Sequence, residues 1–178
     1  MNLANKLTVF RVVLVPFFVL FMLYDFTAYN RYIALGIFAI ASVTDKLDGT
    51  IARKYNMVTS FGKFMDPIAD KLLVCSALVC LTALGEIPAW VVITIIAREF
   101  IISGIRIIAA EDGTAIASSS WGKSKTVSQM VMTIVLLLKM DILYIPGQIL
   151  IYVSLALTLI SAIDYIIKNK NVLSAKDK

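Results

Sequence analysis

Asp45, Asp48, Asp66 and Asp70 are four carboxylates set among otherwise apolar segments. Asp45 and Asp48 are spaced i, i+3, and Asp66 and Asp70 are spaced i, i+4, so each pair shares one face of a helix. A charged side chain at the centre of a bilayer costs roughly 3 kcal/mol or more. Four acids this close also repel one another unless cations neutralise them. A set of hard oxygen donors suits Mg²⁺ or Mn²⁺. Two such ions could bridge the carboxylates and still contact a phosphate, as a Lewis-acid clamp for displacement at phosphorus.

The surrounding chain must bring the two pairs together. Of its 178 residues, 60% are hydrophobic, and the mean hydropathy is +0.86. A soluble domain is usually about 45–50% apolar. The excess lies in long runs, which predicts an all-α, polytopic membrane protein forming one membrane-embedded domain over residues 1–178. Six runs are expected, over residues 7–24, 31–53, 61–84, 89–110, 122–140 and 148–167. Polar turns or loops separate them, including Gly85-Glu86-Ile87-Pro88, a longer segment with Ser118-Ser119-Ser120, and a turn over 141–147 holding Pro146. The serine run reads as flexible.

Six spans put both termini on one side. The loops of that side carry Lys6, Arg53, Lys54, Lys63, Lys123, Lys125 and the basic C-terminal tail. An excess of cations marks the cytoplasmic face, so both termini and the aspartates are expected there. Counted from the short link between the second and third runs, Asp48 and Asp66 lie about one turn in, and Asp45 and Asp70 about one turn deeper. The two pairs then meet at matched depth.

The net charge is +5, from 17 Lys and Arg against 12 Asp and Glu. The basic residues cluster at the ends of apolar runs, where topology and anionic lipid account for them. No nucleic-acid-binding motif accompanies them, so nucleic acid is not an expected partner. The chain has no His, which leaves acid–base work to carboxylates, Lys, Tyr or Cys. Cys75 and Cys80, five apart in one apolar run, read as packing residues. Lys6 and Arg11 before the first run mimic a signal peptide, but no small-residue cleavage site follows, and a retained first helix is expected.

Gly49 and Ala52 follow the first pair on nearly the same face, and Gly62 precedes Asp66 by one turn. Small side chains there leave room for a ligand or for close helix packing. The segment Asp45-Lys46-Leu47-Asp48-Gly49-Thr50-Ile51-Ala52-Arg53, continued by Gly62, Asp66 and Asp70, resembles the signature D-x2-D-G-x2-A-R-x8-G-x3-D-x3-D of the CDP-alcohol phosphatidyltransferases. Every defined position matches without insertion.

The resemblance implies a membrane enzyme, generally homodimeric, that moves a phosphatidyl group from a CDP-linked donor to an alcohol and releases CMP. It implies that the four aspartates bind two Mg²⁺ or Mn²⁺ ions and that Asp70 is the base that deprotonates the acceptor hydroxyl. A carboxylate beside divalent cations is a weak base, but the same cations lower the pKa of the hydroxyl, which makes the transfer feasible. Donor contacts are implied at Asp48, Gly49, Ala52, Arg53 and Gly62.

Segments outside the signature bear on the acceptor. Asn5-Lys6-Leu7-Thr8-Val9-Phe10-Arg11 is similar to the N-x-L-T-x-x-R opening of the bacterial phosphatidylglycerophosphate synthase branch of the family. So are the residues around Gly62–Asp70, Ala97-Arg98-Glu99-Phe100 and Gly122-Lys123-Ser124-Lys125-Thr126. This implies CDP-diacylglycerol as donor, with Asn5 and Thr8 beside it, and sn-glycerol 3-phosphate as acceptor. The implied location is a bacterial cytoplasmic membrane, with the active site facing the cytoplasm.

A phosphorylated acceptor needs cations. Arg106, Lys123, Lys125, Arg98 and Arg11 are the candidates, since Arg binds phosphate through paired hydrogen bonds and Lys as a point charge. Arg98 could instead pair with Glu99. Alternatives are a family member acting on inositol phosphate or serine and, from another class, a cation transporter, because intramembrane acids also line ion pathways. A transporter predicts acids spread through the bilayer depth, whereas here they cluster at one end.

Overall fold

In the computed structural model, residues 3–54, 60–111 and 119–169 are described; within the helices, the side chains at 3, 4, 45–54, 60–64, 66, 67, 70, 108, 110 and 111 are not. The described residues form six α-helices and no strand: α1 (Leu3–Leu23), α2 (Asn30–Lys54), α3 (Ser60–Ala83), α4 (Ala89–Glu111), α5 (Ser120–Leu138) and α6 (Tyr144–Lys168). They group into two compact units, Met1–Glu86 and Ile87–Lys178. Two segments, Asn5–Leu23 and Asp141–Lys168, are long and apolar enough to cross a membrane.

In the first unit α1 packs along both α2 and α3. Its apolar run tolerates Pro16 inside the helix. Phe18 of α1 and Phe38 of α2 are fully buried, with ring centroids 6.1 Å apart. Ala34 and Ala41 on α2, and Ala69 and Ala77 on α3, are also fully buried. Such small residues let helix backbones approach closely.

Two polar devices fix the end of this unit where α2 begins. The Asn30 side chain accepts a hydrogen bond from the Thr27 amide at 3.0 Å and donates to the Tyr24 carbonyl. Arg31 makes a two-pronged ion pair with Glu86, at 2.5 and 2.7 Å. This ties the start of α2 to the turn that follows α3. Asp45 lies about 20 Å further along α2, at 1.5 Å rise per residue.

In the second unit α6 packs against α5 and α4. Their contact is partly polar. The Ser128 and Ser154 hydroxyls are 2.7 Å apart, and the Gln129 amide donates to Thr158 Oγ1 at 3.1 Å. Buried hydroxyls and amides are normally paired in this way.

The helix limits differ from expectation in three places. α1 begins at Leu3, ahead of the run expected from residue 7. Ser119, expected in a flexible serine run, is the N-cap of α5, and its Oγ accepts the Gly122 amide at 3.2 Å. Serine is a favoured cap because its oxygen satisfies an amide that the first turn leaves open. The expected turn at 141–147 is a single 3₁₀ turn, Asp141–Leu143, and α6 starts at Tyr144. Pro146 therefore lies in the first turn of α6, where an amide hydrogen has no helical partner anyway. Gly147 belongs to the same turn, and a Cβ there would lie 3.1 Å from Leu136 Cδ2.

Candidate active site

The backbone carries the four aspartates on two helices. Asp45 and Asp48 are one turn apart near the end of α2, with Gly49, Ala52 and Arg53 beyond them. Asp66 and Asp70 are one turn apart near the start of α3, with Gly62 before them. The side chains of all eight lie outside the described residues. As a donor set they fit a divalent ion. All four are carboxylates, hard oxygen donors from two helices of one unit, with no thiolate or imidazole in the signature.

The first helix adds a polar face to the same unit. Asn5, Thr8 and Arg11 are spaced i, i+3, i+6, and all three are buried, Thr8 and Arg11 completely. Each of the three has an interaction partner. Burying an arginine is strongly unfavourable unless its charge is engaged.

The basic residues expected to meet an acceptor phosphate divide into two kinds. Lys125 is 4% exposed, and its ammonium is paired with Glu99 Oε1. Arg98 donates to the same oxygen at 3.2 Å and, through its other terminal nitrogen, to Ser161 Oγ at 2.9 Å. One carboxylate thus anchors two cations drawn from α4 and α5. The pairing of Arg98 with Glu99 is the alternative that the sequence suggested. Lys123, one turn into α5, is exposed.

Arg106 is different. It is exposed, has no carboxylate partner among the described residues, and holds its guanidinium 5.5 Å from the centroid of the Tyr165 ring. Tyr165 is 3% exposed, and its hydroxyl has no hydrogen-bond partner among the described residues. Arg98 to Ser161 and Arg106 to Tyr165 form successive rungs between α4 and α6.

Tyr165 and Ser161 have no role assigned from the sequence, and Glu99 enters there only as a possible partner of Arg98, not of Lys125. A signal existed for the first two. Ser154, Thr158, Ser161 and Tyr165 fall at i, i+4, i+7 and i+11 within an apolar helix, a polar stripe on its packed face.

The family model described as CDP-alcohol phosphatidyltransferase matches residues 1–160, from the first unit into the second. The chain belongs to this family. It is 39% identical to the CDP-diacylglycerol–glycerol-3-phosphate 3-phosphatidyltransferase of Bacillus subtilis (strain 168), over 99% of both chains. It is 43% identical to the Escherichia coli (strain K12) protein of the same name, over 93% of both. A probable phosphatidylglycerophosphate synthase of Mycobacterium tuberculosis (strain ATCC 25618 / H37Rv) is 40% identical, over 93% of this chain and 80% of its own length. As a family member, the chain carries the family's signature at Asp45, Asp48, Asp66 and Asp70 without a gap.

Proposed function

We propose that this chain is a phosphatidyltransferase that moves a phosphatidyl group from CDP-diacylglycerol to sn-glycerol 3-phosphate, giving phosphatidylglycerophosphate and CMP in phospholipid biosynthesis. The observation that carries the proposal is the family match over both units, together with near-full-length relatives whose names specify this reaction.

Asp45, Asp48, Asp66 and Asp70 would hold two divalent ions, Mg²⁺ or Mn²⁺. When bound, these ions supply positive charge for the donor's diphosphate and acidify a nearby hydroxyl. Asp70 takes the proton from the acceptor's hydroxyl. The alcohol oxygen forms a bond to the lipid-linked phosphorus, the phosphoanhydride bond to CMP breaks, and CMP leaves with the electron pair. The small residues Gly49, Ala52 and Gly62 leave space for the cytidine, with Arg53, Asn5 and Thr8 beside the donor. Arg106 and Lys123 meet the acceptor phosphate directly. Arg98, Lys125 and Arg11 complete the positive surroundings, the first two through Glu99.

We further propose a multi-pass bundle of six membrane spans acting as one domain and as a homodimer, in a bacterial cytoplasmic membrane. Both termini and the active site would face the cytoplasm. Broad exposure of large apolar side chains supports membrane embedding, for example Ile93, Phe100 and Ile107 on α4 and Ile149, Ile163 and Ile167 on α6. The exposed rings of Tyr24, Tyr29, Trp90 and Tyr144 at helix ends fit membrane interfaces.

The test is an acceptor panel. Purified protein with Mg²⁺ and CDP-diacylglycerol should release CMP when glycerol 3-phosphate is added. Release with free inositol or serine, and none with glycerol 3-phosphate, would overturn the acceptor assignment.

A further inference from the structure

Tyr165 combines two features that packing alone does not explain. Its side chain is 3% exposed, yet its hydroxyl has no hydrogen-bond partner among the described residues. A phenylalanine would fill the same space without burying an unsatisfied group, and buried polar atoms in folded proteins are ordinarily paired. A lone buried hydroxyl of this kind suits a partner that arrives with a ligand.

The second feature is the cation beside it. Arg106 reaches from α4 to the Tyr165 ring on α6, with its guanidinium carbon 5.5 Å from the ring centroid. Contact with an aromatic face holds a guanidinium in place by attraction to the ring quadrupole. A carboxylate partner would hold it equally well but would also cancel its charge. Arg31 with Glu86 and Arg98 with Glu99 are held in that second way. The Tyr165 ring therefore orients Arg106 while leaving its positive charge and its paired donors available.

We propose that Arg106 and Tyr165 form one phosphate receptor, in which the ring positions the guanidinium and the phenol hydroxyl donates a further hydrogen bond to the same anion. The chemistry recognised is a phosphate group, which either substrate could offer. The receptor is assigned to the phosphate of the acceptor, because a terminal phosphate presents three free oxygens to a fork of donors and a phenol. This assignment rests on the acceptor proposed above.

The experiment compares wild type, Tyr165→Phe and Tyr165→Leu as full-length protein in mixed lipid–detergent micelles, measuring CMP release while each substrate is varied. Tyr165→Phe keeps the ring and the packing but removes the hydroxyl. It should raise the glycerol 3-phosphate KM by roughly tenfold, as expected for a lost hydrogen bond to a charged group. The CDP-diacylglycerol KM and the thermal midpoint should stay near wild type. Tyr165→Leu removes the ring as well and should approach the KM of Arg106→Ala. An unchanged acceptor KM in Tyr165→Phe overturns the receptor, as does a rise confined to the donor KM or an equal rise in both. Inactivity of the wild type with glycerol 3-phosphate would instead remove the acceptor assignment itself, and the receptor with it.

Discussion

Arg31 and Arg106 are both arginines on long apolar helices, and they stand in opposite circumstances. Arg31 is closed: both ends of its guanidinium meet the Glu86 carboxylate. Arg106 is open, resting against an aromatic ring that leaves its charge intact. The closed pair fastens α2 to the turn after α3, at the end of its unit remote from Asp45 and Asp48. The open arginine lies over the ring of a tyrosine whose buried hydroxyl has no hydrogen-bond partner among the described residues. A compensated charge reads as fastening and an uncompensated one as recognition. The same rule divides Lys125, paired with Glu99, from the exposed Lys123.

The four aspartates are the extreme case of charge that calls for a ligand, and they give the largest predicted effect. Asp70→Asn keeps the shape of the side chain and removes its basicity. Turnover should fall by roughly 10²–10⁴-fold, the usual contribution of a general base. The thermal midpoint in detergent should be retained. Near-wild-type turnover in that variant would show that Asp70 is not the base.

The Glu99 pair is predicted to matter next, and for stability. Glu99→Ala leaves the buried Lys125 ammonium and the Arg98 guanidinium without their shared carboxylate. Breaking a buried pair on one side costs roughly 3 kcal/mol or more. A clear drop in thermal midpoint is expected, and an unchanged midpoint would mean that the pair is not closed in solution.

Arg106→Ala should act on binding without that loss of stability. A charge-assisted hydrogen bond is worth about 1.5–3 kcal/mol, so the glycerol 3-phosphate KM should rise by about tenfold or more. The donor KM should move much less. If Arg106→Ala lowered the midpoint and left the acceptor KM alone, the contrast with Arg31 would reverse.

The smallest effect belongs to the fastening itself. Arg31 and Glu86 are each about one-fifth exposed, at 20% and 18% of their side chains. A partly exposed pair of this sort contributes on the order of 1 kcal/mol. Arg31→Ala should lower the midpoint slightly and leave both KM values unchanged, and a shift in either KM would place Arg31 in the recognition class.

Much of this was legible in the sequence, because apolar run length and charge spacing are local properties. The runs at 31–53, 61–84 and 89–110 match α2, α3 and α4 to within a residue or so. Pro146 and Gly147 suggest a turn, yet α6 already starts at Tyr144, because proline is well tolerated in a helix's first turn. Ser119 looked like linker because its capping role depends on the backbone geometry of the residues after it.

At the site, residue types and spacing sufficed for the aspartates. They could not separate Lys125 from Lys123. Glu99 lies 26 residues before Lys125 in sequence, and only the packing of the helices brings the carboxylate to the ammonium. Tyr165 was hidden for the same reason. A tyrosine in an apolar helix is ordinary until its ring is found beneath a guanidinium.

Transfer of a phosphatidyl group to glycerol 3-phosphate is tested by following the acceptor into lipid. Labelled glycerol 3-phosphate is incubated with purified protein, CDP-diacylglycerol and Mg²⁺, and the label in the chloroform-soluble fraction is counted against CMP released. Label should enter the lipid one-for-one with CMP, and Asp70→Asn should show neither. Release of CMP with the label left in the aqueous phase would contradict the transfer.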